Sequence, residues 1–256
     1  MSFQKNTLIY FSLTLIAIAL FVIWRWADIG LPYYWDELGV YAPSALYLLD
    51  NGISMMPSAL DPEFSRGHPM LCAFLYSCWM KIFGVKLTTV HLFSLIISLS
   101  TVLVTFLFGK EKNNARTGFW AASLLMIQPV FMAQSMMVLP EMMLAIFLIL
   151  AVYFAHKKWW LMGLLIALSI VVKPFGLIFL GLLLLVLFFT KQKEAWKAVL
   201  SFVISILLLF LTPFVFYPNP EAFQSLNIAW LNELSIEMSS KQDLLMDRNH
   251  TIFSVL

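Results

Sequence analysis

Four short segments of the 256-residue chain carry side chains that could do chemistry, and each lies beside a long apolar run. The first is Tyr33-Tyr34-Trp35-Asp36-Glu37. Amphipathic aromatic rings settle at membrane–water interfaces, so they would hold Asp36 and Glu37 at the surface. An acid before a helix is favoured by the dipole alone; the chemical reading is a carboxylate that takes a proton from an attacking hydroxyl. The second segment is Ser65-Arg66-Gly67-His68-Pro69. Arg66 and His68 are either ordinary interfacial residues or ligands of an anionic headgroup phosphate. The third is Leu139-Pro140-Glu141 within a methionine-rich run. Pro and an acid in a first helical turn are good capping chemistry, but an acid in so apolar a run is also a functional candidate. The fourth is Lys173-Pro174-Phe175-Gly176, where Lys173 is the only basic residue between Lys158 and Lys191. It either snorkels to the interface or meets an anionic group there. No metal-ligand set is assigned. Cys72 and Cys78, on different faces of one apolar run, read as two buried thiols rather than a redox or metal pair.

Composition says what must position these groups. Apolar residues are 61% of the chain, against roughly 45–50% in an ordinary globular protein. Charged residues are 12%, about half the usual share. Sixteen basic and fourteen acidic side chains cannot cover a soluble surface of this size. Disorder, collagen and a disulfide-stapled scaffold are excluded, and a net charge of +2 does not suggest nucleic acid. The composition implies an all-α, polytopic membrane bundle.

A span needs about 20 apolar residues. Candidates are 8–26, 87–109, 118–138, 141–156, 159–173, 175–190 and 198–217, about seven spans, of which 141–156, 159–173 and 175–190 are short. The run 8–26 is too long for a signal-peptide core and no cleavage site follows, so it reads as a retained first span. Segment 69–84 is ambiguous, and the positive-inside rule decides it. If it lies along the outer leaflet, Lys5, Lys110, Lys112, Arg116, Lys157, Lys158, Lys191, Lys193 and Lys197 are cytoplasmic, with only Glu111 and Glu194 as acids beside them. His156 joins that cluster as a topology signal. If it crossed, eight of those nine basic residues would face outward. The expectation is therefore one transmembrane domain over 1–256. Its first outer loop, 27–86, carries juxtamembrane helices, including one over 40–49, and a second outer loop covers 218–250. Thr251–Leu256 begins another apolar run, so either a further span follows or the protein is abbreviated.

The set resembles the GT-C membrane glycosyltransferases, particularly the protein O-mannosyltransferase and lipid A aminoarabinose transferase branch. The resemblance rests on Asp36-Glu37 followed by Tyr41-Ala42, on His68-Pro69 opening a helix that ends at Phe83-Gly84, on Leu139-Pro140-Glu141, and on Lys173 to Gly176. It covers roughly 8–217. It implies a GT-C-like fold and transfer of a sugar from a polyprenyl-phosphate donor to a glycan, lipid or protein acceptor on the outer face of the cytoplasmic (inner) membrane. It assigns Asp36 and Glu141 as the catalytic acids, with Glu37, Arg66, His68 and Lys173 on the substrate. No nucleotide cofactor is implied. Gly67 replaces an acid that helps hold a metal in the aminoarabinose transferases, so the cofactor stays unassigned, a divalent metal included. The competing readings are a lipid-linked sugar flippase, for which broken helices or repeat symmetry near the midplane would be expected, and an inactive, truncated GT-C scaffold.

Overall fold

The structure is a computed structural model that describes residues 2–66, 68–155, 157–189 and 195–216. The basic positions His156, Lys191 and Lys193, the loop expected over 218–250 and the run Thr251–Leu256 lie outside the described residues, as does Gly67. Every regular element among the described residues is helical. In an apolar solvent this follows from the backbone, because a helix satisfies its N–H and C=O groups internally.

Helix α1 (Ser2–Arg25) contains neither Pro nor Gly. Leu8, Ile16, Leu20 and Ile23 on its surface are more than half exposed, as suits a helix facing lipid. Its other face packs on α6 (Ala115–Met126), where Tyr10 meets Phe119 at 6.0 Å between ring centroids. Helix α5 (Leu87–Lys112) runs beside α6. Gly109 and Gly118 allow that approach: a Cβ on Gly118 would lie 2.4 Å from the Phe106 carbonyl oxygen. By length and composition, α1 with its continuation (Asn6–Gly30) and α5 are the described helices long enough to cross a membrane. Helices α8 (Pro140–Phe154), α9 (Trp159–Val172) and α10 (Gly176–Phe189) have 14 or 15 residues, about 21–22 Å of rise against a hydrocarbon core of ~30 Å. They coincide with the three runs that are short in sequence. Helix α11 (Ala195–Phe216) packs on α9, with Ser201 Oγ donating to the Trp160 carbonyl at 2.6 Å.

One expected element is not continuous. The apolar run 118–138 predicts a single span, but α6 stops at Met126, and a short α7 (Pro129–Gln134) follows after a break. Pro129 is the cause. It has no N–H to continue the ladder and forces Gln128 out of the helical region, to φ −68°, ψ 127°. After α7 the chain buries Ser135, Met136 and Val138 before α8 begins.

The segment expected as the first outer loop folds as a layer. A 3-10 turn (Trp26–Gly30) leads through an extended stretch to one π-helical turn (Glu37–Tyr41), then α2 (Ala42–Asn51), α3 (Pro62–Ser65) and α4 (Leu71–Phe83). Gly52 (φ +116°) and Gly84 (φ +91°) end α2 and α4 in conformations that a Cβ would strain. Helix α4 buries Cys72, Ala73, Tyr76, Ser77 and Met80 and leaves Ile82 and Phe83 exposed. The buried side joins α2 in a core with Val90, Val138, Met143 and Val172. The loop is therefore packed onto α5, α8 and α9.

Candidate functional site

Asp36 stands at the entrance to the π turn, exposed, with helical backbone angles of φ −63° and ψ −24°. Trp35 before it is left-handed at φ +48°. Single π turns and left-handed non-glycine residues both concentrate at functional sites, where surrounding packing offsets their cost. Arg66 shares the left-handed conformation, at φ +45°, and its guanidinium lies beside Gly39 on the same turn.

Tyr41, at the far end of the π turn, is buried and its hydroxyl lies 3.2 Å from His68 Nδ1. The two rings meet edge to face at 5.3 Å. Burial pushes the Tyr41 phenol well above its ordinary value, and the charges of Cys72, Glu141 and Asp36 push it the same way. Tyr41 therefore stays a neutral hydroxyl, able to donate a hydrogen bond. Cys72, fully buried on α4, is also pushed up by burial and then by Glu141, while Lys173 pulls it down. These interactions mark Tyr41 and Cys72 as the common neighbours of groups contributed by distant parts of the chain.

Glu141 and Lys173 meet directly. Glu141 lies in the first turn of α8, and Lys173 ends α9 with extended backbone angles. Lys173 Nζ donates to Glu141 Oε1 at 2.5 Å, and the Lys173 and Glu141 side chains are 22% and 30% exposed. Each charge sits at the helix end whose dipole favours it. Lys173 also lies 5.6 Å from the Phe175 ring centroid. Gly176 lets α10 start close against α9, since a Cβ there would come within 2.7 Å of Ser169 Oγ. Glu141 Oε2 is buried and accepts no hydrogen bond from any described residue. An ammonium has three donors, so Lys173 can hold Glu141 and still present N–H groups to an anion.

Glu37 behaves differently from its neighbour. Expected to face substrate with Asp36, it turns inward and is 2% exposed. Its Oε1 accepts from the Val138 N–H at 2.6 Å, and its Oε2 from the Tyr34 N–H at 3.0 Å. His91 Nε2 lies 3.2 Å from the same Oε1. Adjacent residues on a helical turn point about 100° apart, which is why one acid of the pair reaches the surface and the other the core. His91 was not singled out from the sequence, where it lies inside the apolar run 87–109. Its signal was present, since an ionisable residue within a span is costly unless it has a task or a partner. Tyr41 entered only through the resemblance, and Cys72 only as a buried thiol. No group of three or more His, Cys, Asp or Glu side chains among the described residues is arranged to hold a metal ion.

Residues 67–217 match the family described as dolichyl-phosphate-mannose-protein mannosyltransferase. The match takes in α4 to α11 and therefore His68, Glu141 and Lys173; Asp36, Glu37 and Arg66 precede it. No curated protein and no solved structure matches the chain.

Proposed function

Because the chain belongs to the dolichyl-phosphate-mannose-protein mannosyltransferase family, and so to the GT-C membrane glycosyltransferases, we propose that it moves a sugar from a polyprenyl-phosphate donor to an acceptor hydroxyl at the outer face of the membrane. The observation that carries this reading is the Glu141–Lys173 ion pair beside Tyr41 and Cys72. It provides a cation where α8 begins and α9 ends, which supports a site for a lipid phosphate there.

In the proposed reaction the acceptor oxygen attacks the anomeric carbon and the bond from that carbon to the phosphate oxygen breaks. The acceptor proton passes to the Asp36 carboxylate, and the anomeric centre inverts. The donor phosphate carries one negative charge as a diester and approaches two as it leaves. Lys173, together with Arg66 and His68, would stabilise that growing charge. A phosphate monoester leaves readily, so little acid help is needed. Tyr41 would orient His68 through their hydrogen bond, and Glu141 would fix Lys173 and contact sugar hydroxyls. Sidedness rests on charge: the basic residues of the short loops belong on the cytoplasmic side of the inner membrane, with the N-terminus there and the site outside, in one transmembrane domain.

The test is transfer by the purified, reconstituted protein supplied with polyprenyl-phosphate sugars and candidate acceptors, with products identified by mass spectrometry. Asp36→Asn keeps the shape and removes the base, so turnover should fall ~10²-fold or more while donor binding persists. Near-normal transfer by that variant at saturating donor would overturn the assignment of Asp36.

A further inference from the structure

Glu37 and His91 form the most deeply buried acid–base pair among the described residues, at 2% and 3% exposed. A carboxylate in such surroundings is costly unless it is paired and hydrogen-bonded. Hydrogen bonds tie the pair to Ile29, Tyr34 and Val138. His91 Nδ1 lies 3.0 Å from the Ile29 carbonyl oxygen, at the end of the 3-10 turn after α1. A carbonyl can only accept, so Nδ1 carries a proton. Nε2 then lies 3.2 Å from Glu37 Oε1, at ion-pair distance but outside hydrogen-bond geometry. Oε1 also accepts from Val138 and Oε2 from Tyr34. The Tyr33 ring closes the remaining side, edge to face with His91 at 5.3 Å, and Tyr76 on α4 lies within reach of the Glu37 charge.

These bonds end next to the proposed chemistry without joining it. Glu37 adjoins Asp36 in the chain. Val138 is three residues before Glu141, on the buried segment between α7 and α8. His91 belongs to α5, the long helix packed against α6 and α8. We infer that Glu37 and His91 are positioning residues, which hold the exposed Asp36 and the Glu141 turn in one register by tying both to α5. The inference rests on the assignment of Asp36 and Glu141 given above. It differs from the expectation that Glu37 binds substrate, because both of its oxygens are occupied by protein groups. Rigid support of this kind matters to the reaction, since a misplacement of about 1 Å can cost ~10²-fold in rate.

Two substitutions of His91 separate its contacts. Asn places an amide near Nδ1 and keeps the tie to Ile29. Gln places one near Nε2 and keeps the tie to Glu37. In nanodiscs, with synthetic polyprenyl-phosphate mannose and a Ser/Thr-rich peptide, His91→Asn should lower kcat by about tenfold or more. Its donor Kd should stay within about twofold of the parent, since the phosphate contacts are elsewhere, and His91→Gln should restore most of the lost turnover. Hydrogen exchange provides a readout that needs no turnover. His91→Asn should raise exchange in segments 30–41 and 135–139 and leave α9 unchanged, and His91→Gln should reverse the rise. A parental kcat in His91→Asn, no restoration by His91→Gln, or exchange that rises across α8 and α9 alike would overturn the inference. If His91→Asn does not fold, exchange and turnover of His91→Gln and Glu37→Gln decide. Parental protection and turnover in both would reject it, and local loss in Glu37→Gln with retention in His91→Gln would uphold it. Asp36→Asn, run alongside, distinguishes the two failures. If it is active, the catalytic reading fails; if it is inactive while His91→Asn turns over normally, only the positioning inference fails.

Discussion

Replacing Lys173 by Ala removes the cation held between the start of α8 and the end of α9, and the size of the effect can be worked from its contacts. One N–H of the ammonium is committed to Glu141 Oε1 at 2.5 Å, which leaves two for the donor phosphate. A hydrogen bond to a charged group is worth about 1.5–3 kcal/mol net. Since each ~1.4 kcal/mol is tenfold in affinity, Lys173→Ala should weaken donor binding by roughly 10- to 150-fold for each N–H that reaches the phosphate. The substitution also strips Glu141 of its partner. A carboxylate and a phosphate about 7 Å apart repel by about 1 kcal/mol at an effective dielectric of about 40. Adding Glu141→Gln to Lys173→Ala should therefore recover roughly fivefold in affinity. The assay is equilibrium binding of polyprenyl-phosphate mannose to the protein in nanodiscs, for the parent, both single variants and the double variant. Repeating it at high salt checks the partial burial of the pair, because buried charges are screened less than exposed ones. Donor binding by Lys173→Ala within twofold of the parent would refute the phosphate contact. A double variant that binds more weakly than Lys173→Ala would refute the electrostatic account of Glu141.

Other consequences concern the scaffold. Gly118→Ala drives a methyl group to 2.4 Å from the Phe106 carbonyl oxygen, so α5 and α6 must separate; a loss of about 1–3 kcal/mol should appear as a lower unfolding midpoint in detergent. Cys72 is fully buried and Cys78 partly so, and burial raises both thiols. Maleimide labelling followed by mass spectrometry should therefore modify Cys78 slowly and Cys72 only on unfolding. On the opposite end of the bundle, hydrogen bonding to Lys157 holds the exposed Glu111 carboxyl below its ordinary value. Whatever the pair contributes is present above the ordinary carboxyl pKa and is lost as pH falls through the lowered one. Lys157→Ala should alter only that acidic limb of a stability–pH curve and barely move the neutral midpoint, because exposed pairs are worth little.

The fold class was legible because lipid imposes it. Long apolar runs must be helical, and Pro140, Gly52 and Gly84 mark helix ends by local backbone rules that need no knowledge of the rest of the chain. The helix over 71–83, between Pro69 and Gly84, was readable for the same reason. The break in 118–138 was also written locally, in Gln128-Pro129, but hydropathy averages over a single proline and conceals it. Among the candidate residues, Glu141 and Lys173 stood out because charge is rare in such surroundings.

What the sequence determined by itself is therefore what depends on neighbours in the chain: membrane character, helical class, most helix ends, and the unusual charges. Only the tertiary structure decided which of those charges meet. Glu141 and Lys173 are 32 residues apart and form one ion pair. Asp36 and Glu37 are adjacent and part company, one to the surface and one to a buried bond with Val138, 101 residues away. His91 is inconspicuous in its helix and becomes the partner of Glu37. A carboxylate looks the same in sequence whether water, a lysine or a buried backbone N–H solvates it. That choice is made by packing between distant helices, since the energy of a charge depends on everything within several ångströms of it and not on its place in the chain.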